Sequence, residues 1–436
     1  MICIKRDVRQ FSFLCAATLC TFIFHDFVFC QGQITLSHAI DLALKNNLQL
    51  AVARNARQES EKASSEISTT ALPQLKAGIS AIYAPSNPSF GYDPVITNQG
   101  QLGAQLFVQQ SLYDGGTRAL KSDQLALDIT EANIQLQSVK RDLKYSVMLA
   151  FIDVLRYQQE TILRQETVGQ LQEYLELTQR RFRGGGTGQS DVLRTDVELS
   201  NAKVELNHAE VSYNTARYSL AELLGGTIDT TFTAVGTLDS LIDVPVDTLP
   251  GHVLDLELSR MGIEKSALDI SLAEHEAYPV LSLFGDAGLL TSVENLKLPG
   301  GDRYNSFGYS VGILAEFPIF DWGGRSLRKE QKELELNSLS TEGSLLERKL
   351  SGEMSRLRLQ RKNELVQLET LRRNATKAKD LFLLTKARYA GGSALAVEVL
   401  GAQQLVNDSE VAALETAAEI QSISARIIQL TTEEER

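Results

Sequence analysis

Beyond Cys30 the sequence contains no cysteine. A disulfide framework and cysteine-ligated metals are therefore excluded for the mature chain, which must be held by packing. Proline is missing between Pro94 and Pro245 and again after Pro318, leaving two stretches in which nothing interrupts a helix. Methionine after the initiator is limited to Met148, Met261 and Met354, and His38, His208, His252 and His275 are scattered. That excludes a methionine ladder or a histidine cluster for soft metals such as copper. There is no G-x-S-x-G, no H-E-x-x-H and no zinc-type His/Cys spacing, so no catalytic site and no cofactor are expected. Gly184-Gly185-Gly186-Thr187-Gly188 resembles a phosphate loop, but Gln189 stands where lysine should follow, and it reads as a turn. After the first 30 residues no apolar run approaches the ~20 residues a spanning helix needs. A net charge of −12 makes a poor nucleic-acid binder.

Residues 1–30 read as a signal peptide. Lys5, Arg6 and Arg9 precede the mostly apolar Phe11–Phe24, with cleavage expected near Cys30/Gln31. The rival is a lipoprotein acylated at Cys30; the bulky Phe29 before it fits that poorly.

The rest of the chain is written twice. Arg181-Phe182-Arg183-Gly184-Gly185 leads to Asp191-Val192-Leu193, and Arg388-Tyr389-Ala390-Gly391-Gly392 leads to Glu398-Val399-Leu400, at a constant offset of 207. Each copy closes a charged, leucine-bearing segment with a glycine pair and restarts an apolar-periodic one at an acid, the pattern of a helical-hairpin tip. The expected units are residues 31–226, a connector at 227–250, and 251–436.

Each unit opens with a helical segment. The first is expected from a Ser37 cap to about Ala71, before Leu72-Pro73; the second runs from Val253 to Tyr278-Pro279. Periodicity then changes to two. Leu75, Ala77, Ile79 and Ala81 alternate with Lys76, Gly78 and Ser80, and similar runs cover 101–112, 281–289 and 306–317, although Phe107 and Gln110 break the second. These are four strands of about ten residues. They fit either a half-buried sheet of a soluble domain or part of a membrane barrel, since about 9–11 tilted residues cross a bilayer. Four strands cannot close such a barrel, so that reading requires several chains. Segments 84–100 and 291–305 suit external loops.

Asp114-Gly115-Gly116 and Asp321-Trp322-Gly323-Gly324 mark the strand-to-helix boundaries, with the aspartates expected to start helices. Gly116–Phe182 is 67 residues, on the order of 100 Å as one helix. A rod of that length must lie against other helices. On the return segment Leu199, Ala202, Leu206, Ala209, Tyr213, Ala216 and Leu220 repeat at 3-4 spacing, a coiled-coil seam. Val197, Val204, Val211 and Tyr218 form a second stripe on a different face, which calls for a second neighbour.

The opening segment, the Ile319-Phe320-Asp321-Trp322-Gly323-Gly324 boundary, the two tips and the duplication together resemble the bacterial outer-membrane efflux proteins, the TolC family, over essentially the whole mature chain. The resemblance implies a mainly α fold with a membrane β-barrel: a homotrimer, four strands per protomer in a twelve-stranded barrel, and paired coiled-coil hairpins forming a periplasmic tunnel. It implies a passive exit duct in the outer membrane, docked by a periplasmic adaptor and energised by an inner-membrane pump or secretion transporter. By position it places Gly184, Gly185, Val192, Leu193, Gly391, Gly392, Val399 and Leu400 at the adaptor contact. Asp191 and Glu398 fall at the tunnel constriction, with Tyr389 in reach of Asp191 across hairpins as a latch. The sequence departs from the family prototype at Ala394 and Gly401, where an arginine and a second acid can occur. The alternative is a periplasmic coiled-coil scaffold or adaptor with a soluble sheet.

Overall fold

The computed structural model describes residues 32–83, 100–226, 231–239, 242, 253–292 and 306–432. The expected signal peptide, the segments at 84–99 and 293–305 expected as external loops, and most of the connector lie outside the described residues.

A short strand β1 (Gln33–Thr35) runs parallel to β4 (Thr233–Val235) from the connector. Helix α1 (Leu36–Asn46) follows at once, capped by Thr35 rather than Ser37: the strand ends there and the Thr35 hydroxyl accepts from the His38 amide at 3.4 Å. The expected single helix to Ala71 is two. Asn47 leaves the helix, its side chain accepts from the Gln49 amide at 2.8 Å, and α2 (Leu48–Thr69) starts afresh. The Asn47 side-chain nitrogen donates to the Leu223 carbonyl at 3.2 Å. Asn47 thus exchanges one helical residue for a tie to the end of the hairpin's return helix.

Strands β2 (Gln74–Tyr83), β3 (Gly100–Asp114), β5 (Val280–Ser292) and β6 (Ser306–Glu316) form one antiparallel sheet in the order β2-β3-β5-β6. The register aligns Ile79, Ala104 and Leu289 with Phe307, and Ala77, Leu106 and Ala287 with Tyr309, so one face is apolar across all four strands. That face is open: Ile79 is 91% exposed, Tyr309 79% and Val311 74%. Phe107, which broke the alternation, points to the opposite face and lays its ring over Gly78 of the neighbouring strand; Phe284 does the same over Gly312. Both outer strands, β2 and β6, have an unpaired edge.

Two helices of equal length leave the sheet. They are α3 (Thr117–Arg183) and α6 (Gly324–Ala390), each 67 residues, returning as α4 (Gln189–Leu223) and α7 (Ala396–Thr431). Their starts keep the offset of 207. Both aspartates cap the first turn from just outside it: Asp114 accepts from the Gly116 and Arg118 amides at 3.2 Å, and Asp321 from the Arg325 amide at 2.8 Å. Burial resists ionisation of Asp321, but the Arg325 amide and guanidinium outweigh it and hold the carboxyl below its usual range. Trp322 occupies the position of Gly115 and takes its left-handed backbone, φ 58°, a strained conformation for a bulky residue. It is 89% exposed and edge-on to Phe320. With Phe317 and Ile319, also exposed, it makes an apolar collar beneath the sheet, as an interfacial aromatic belt requires.

Across the bundle the helices lie in the order α4-α3-α7-α6, with α3 and α7 inside and α4 and α6 at the two edges. The seam on α4 is buried as spaced, with Leu199, Ala209, Ala216 and Leu220 at 0–7% exposure against α3. Helix α5 (Leu254–His275) bridges α3 and α6. Arg141 binds Asp255 through two bonds of 2.8 and 3.1 Å, Lys265 meets Asp128 and Glu131, and Lys332 meets Asp269. Burial opposes the Arg141 charge, but its bonds to Asp255 and Asp142 outweigh that and raise its pKa. The main core gathers Phe151, Leu155, Leu220 and Leu224 with Phe232, Leu238 and Ile242 of the connector. Gln421 fixes that connector by accepting from the Ile242 amide and donating to the Leu238 carbonyl.

Candidate functional site at the hairpin tips

The tips are built alike. At the first, the Gly186 amide reaches back to the Arg181 carbonyl at 2.8 Å; at the second, Ser393 reaches Arg388 at 2.9 Å. Gly185 and Gly392 take φ of 74° and 83° to allow it, the Schellman geometry in which glycine carries no Cβ penalty. The return helices then start at an acid in the first turn. Asp191 accepts a short bond from the Thr187 hydroxyl, and Glu398 accepts from the Leu395 amide at 3.0 Å.

Their surroundings differ. Leu193 is 58% exposed and Val192 half-buried, whereas the equivalent Val399 is 1% exposed and Leu400 half-buried. Val399 packs with Tyr174, Phe382, Tyr389, Ala396 and Ala402 in a small core of its own. It is therefore not available for contact with another protein, contrary to the expectation for this position. The cause is the helix order: the start of α7 faces α3 inside the protomer, while the start of α4 lies at the edge. Gly184, Gly185, Gly391 and Gly392 are exposed at the extreme end, together with Leu395 and Val397.

Within the protomer Tyr389 does not bond Asp191. Its ring is 2% exposed and packs on Tyr174 with centroids 5.2 Å apart, and its hydroxyl donates to Thr178 at 3.4 Å. Asp191 is engaged by Thr187 instead. Tyr174 in turn donates to the Ala396 carbonyl at 3.2 Å. Burial, then the neighbouring Tyr389, push the Tyr174 phenol far above its ordinary pKa, so it remains a donor at any physiological pH.

The group that spans the two tips is Arg181. Its guanidinium lies 4.5 Å from the centre of the Tyr389 ring, donates a short bond to the Tyr389 carbonyl and another of 3.1 Å to the Gly186 carbonyl of its own turn. One side chain thereby closes its own Schellman turn and holds the second hairpin. Nearby, Lys386 meets Glu173 at 3.1 Å. Sequence reasoning used Arg181 only as a repeat marker. Its role was hidden because the equivalent Arg388 only closes its own turn, at Ser393. Tyr174 carried no signal either, since leucine (Leu381) stands at the matching place in the second unit.

Among the described residues no group of three His, Cys, Asp or Glu could hold a metal ion, and no helix is long and apolar enough to cross a membrane.

The sequence model of the family described as "Outer membrane efflux protein" matches residues 39–226 and 252–433. The chain is 23% identical over 394 residues to the outer membrane protein TolC of Vibrio cholerae serotype O1, covering 86% of this chain and 85% of that one. It is 22% identical over 294 residues to the cobalt-zinc-cadmium resistance protein CzcC of Cupriavidus metallidurans, an alignment spanning 66% of this chain and 64% of CzcC. Among solved structures, CusC superposes with a TM-score of 0.75 at 15% identity over 92% of each chain. VceC of Vibrio cholerae gives 0.71 at 16%, over 92% of this chain and 97% of VceC. At those identities the likeness is one of fold.

Proposed function

The chain belongs to the outer membrane efflux protein family, and we propose that it is the passive, trimeric exit duct of a tripartite efflux or type I secretion system. The observation that carries this is the sheet. Four strands with one continuous apolar face and two open edges are unstable alone in water, and closure with two further copies gives twelve strands with no edge and lipid on the apolar face. Its place is the outer membrane, with the helical part in the periplasm. Helices on the order of 100 Å long can cross that space.

At the narrow end, Gly184, Gly185, Leu193, Gly391 and Gly392 offer exposed backbone and an apolar edge to the helical hairpins of a periplasmic adaptor. Val192 and Leu400 line the shoulders of that contact, and Val399 supports it from beneath. Asp191 and Glu398 set a negative constriction that favours cations. Arg181, bonded to Tyr389, holds the two hairpins of a protomer together in the closed state. The adaptor opens the duct by drawing the tips apart, and the inner-membrane pump selects the substrate and supplies the energy.

Reconstitution of the purified protein into planar bilayers tests this. Discrete conductance steps that grow in the Arg181→Ala variant are expected. A protein that stays soluble without detergent and gives no conductance contradicts the duct and returns the hairpins to a periplasmic scaffold.

A further inference from the structure

Behind the tips, α3, α4 and α7 line a cavity of about 510 Å³, within the range of small-molecule sites, roughly 300–1,000 Å³. With the seam residue Leu199 as heptad position a, Arg194 and Asn201 are c positions and Glu198 and Glu205 are g positions; all four line the cavity. Asp191 is also a g, so it stands on the same flank of α4, two turns nearer the tip than Glu198. Arg217 is an e on the other flank, where its guanidinium lies 5.7 Å from the centre of the Phe232 ring of the connector. A connector packed inside a tunnel would fill it. The connector side is therefore the outer one, and the cavity opens toward the lumen.

The cavity wall lacks a hydrogen-bond donor. The Thr167 hydroxyl donates to Asn407 Oδ1 at 2.8 Å, and Gln403 Nε2 donates to the same oxygen at 3.2 Å. That leaves Gln403 Oε1 buried without a partner among the described residues, on a side chain only 4% exposed. A buried acceptor left unmade costs free energy, so it calls for a donor from the cavity. Arg164 is balanced by Glu160 at 3.2 Å and Glu205 at 3.8 Å. Arg194, Glu198 and Asp408 are exposed on the same wall and take no partner among the described residues. One cation, two carboxylates and one buried amide oxygen are thus uncommitted. A molecule that satisfies them carries a carboxylate, an N–H donor and one more ammonium than carboxylate.

We propose that this cavity is a lumenal binding site for small peptide-like zwitterions with a surplus ammonium, of about the size of a dipeptide. The proposal rests on the duct reading for the side of the wall it faces, and adds a ligand class to it. The carboxylate of the ligand meets Arg194, its ammonium groups meet Glu198 and Asp408, and a ligand N–H donates to Gln403 Oε1. Arg194 and Glu198 belong to the first hairpin, Gln403 and Asp408 to the second. An occupant therefore ties the two hairpins together and favours the closed state, in which they are adjacent.

Equilibrium dialysis of the detergent-extracted full chain against radiolabelled lysyl-glycine tests the site. Saturable binding is expected, weakened about tenfold or more by Asp408→Asn or Glu198→Gln and unchanged by Lys203→Gln on the outer flank. Arg194→Gln should weaken binding of lysyl-glycine but not of lysyl-glycinamide, which has no carboxylate to lose. All four positions are exposed, so these variants keep the fold. In planar bilayers the dipeptide should lower the open fraction of wild-type channels and leave that of Asp408→Asn unchanged. A conducting channel with no saturable binding, or with binding that survives both carboxylate variants, overturns the site and leaves the duct standing. Binding with the expected losses, by a protein that never conducts, supports the site and overturns the duct.

Discussion

The two hairpin tips are nearly the same object in backbone and different objects in environment. Each follows a helix of 67 residues, turns on a glycine of positive φ and closes with one bond of 2.8 or 2.9 Å to an arginine carbonyl. Yet valine after the acid is half-buried at one tip and 1% exposed at the other. Local sequence determines the turn; position in the bundle determines which side chains the turn shows. One tip is packed within the protomer, and the other is left open at its edge.

Substitutions at paired positions should expose that difference. The largest effect is expected at the valines. Val399→Asp places a charge in the core of the second tip and should cost about 3 kcal/mol or more, read as a lowered thermal midpoint of the assembled protein. Leu193→Asp on the exposed shoulder should stay within about 0.5 kcal/mol while abolishing capture of the adaptor. Equal losses at both would break the comparison.

The arginines come next. Arg181→Ala removes a cation–π contact and a charge-assisted hydrogen bond, together about 2–4 kcal/mol favouring the closed state, and should raise the open fraction of single channels accordingly. Arg388→Ala removes the bond that closes its own turn at Ser393 and does not reach the other hairpin, so a smaller rise is expected. A reversed order would show that the clasp within one copy does not hold the tunnel shut.

Smaller still is Tyr389→Phe. The hydroxyl bond to Thr178 is long, 3.4 Å, so its loss should cost about 1 kcal/mol or less and barely change conductance. A large opening would restore a hydroxyl latch to an acid of another copy. Glu398→Gln should leave stability within about 0.5 kcal/mol, because glutamine at that position still caps the helix, and should lower cation preference. Unchanged selectivity in the reconstituted channel would remove Glu398 from the constriction.

The long elements were legible in the sequence because they rest on periodicity and on duplication: the strand pattern, the proline-free helices and the 207 offset need no tertiary knowledge. What escaped depended on a third element. Asn47 breaks a helix because its side chain finds both the Gln49 amide and the Leu223 carbonyl, the latter 176 residues away. Phe107 violated the alternation because a glycine of the next strand accommodates its ring. At the tips the turns were legible, but the faces of their side chains were not. Val192 and Val399 are equivalent in sequence, and only the order α4-α3-α7-α6 turns one inward. Arg181 was visible as a repeat and its partner was not, for the same reason.

The central claim is that three copies share one barrel. Multi-angle light scattering of the protein extracted from outer membranes, with detergent mass subtracted, tests it most directly. The account predicts a particle of three chains that exists only in detergent; a single chain, stable in buffer alone, would contradict it.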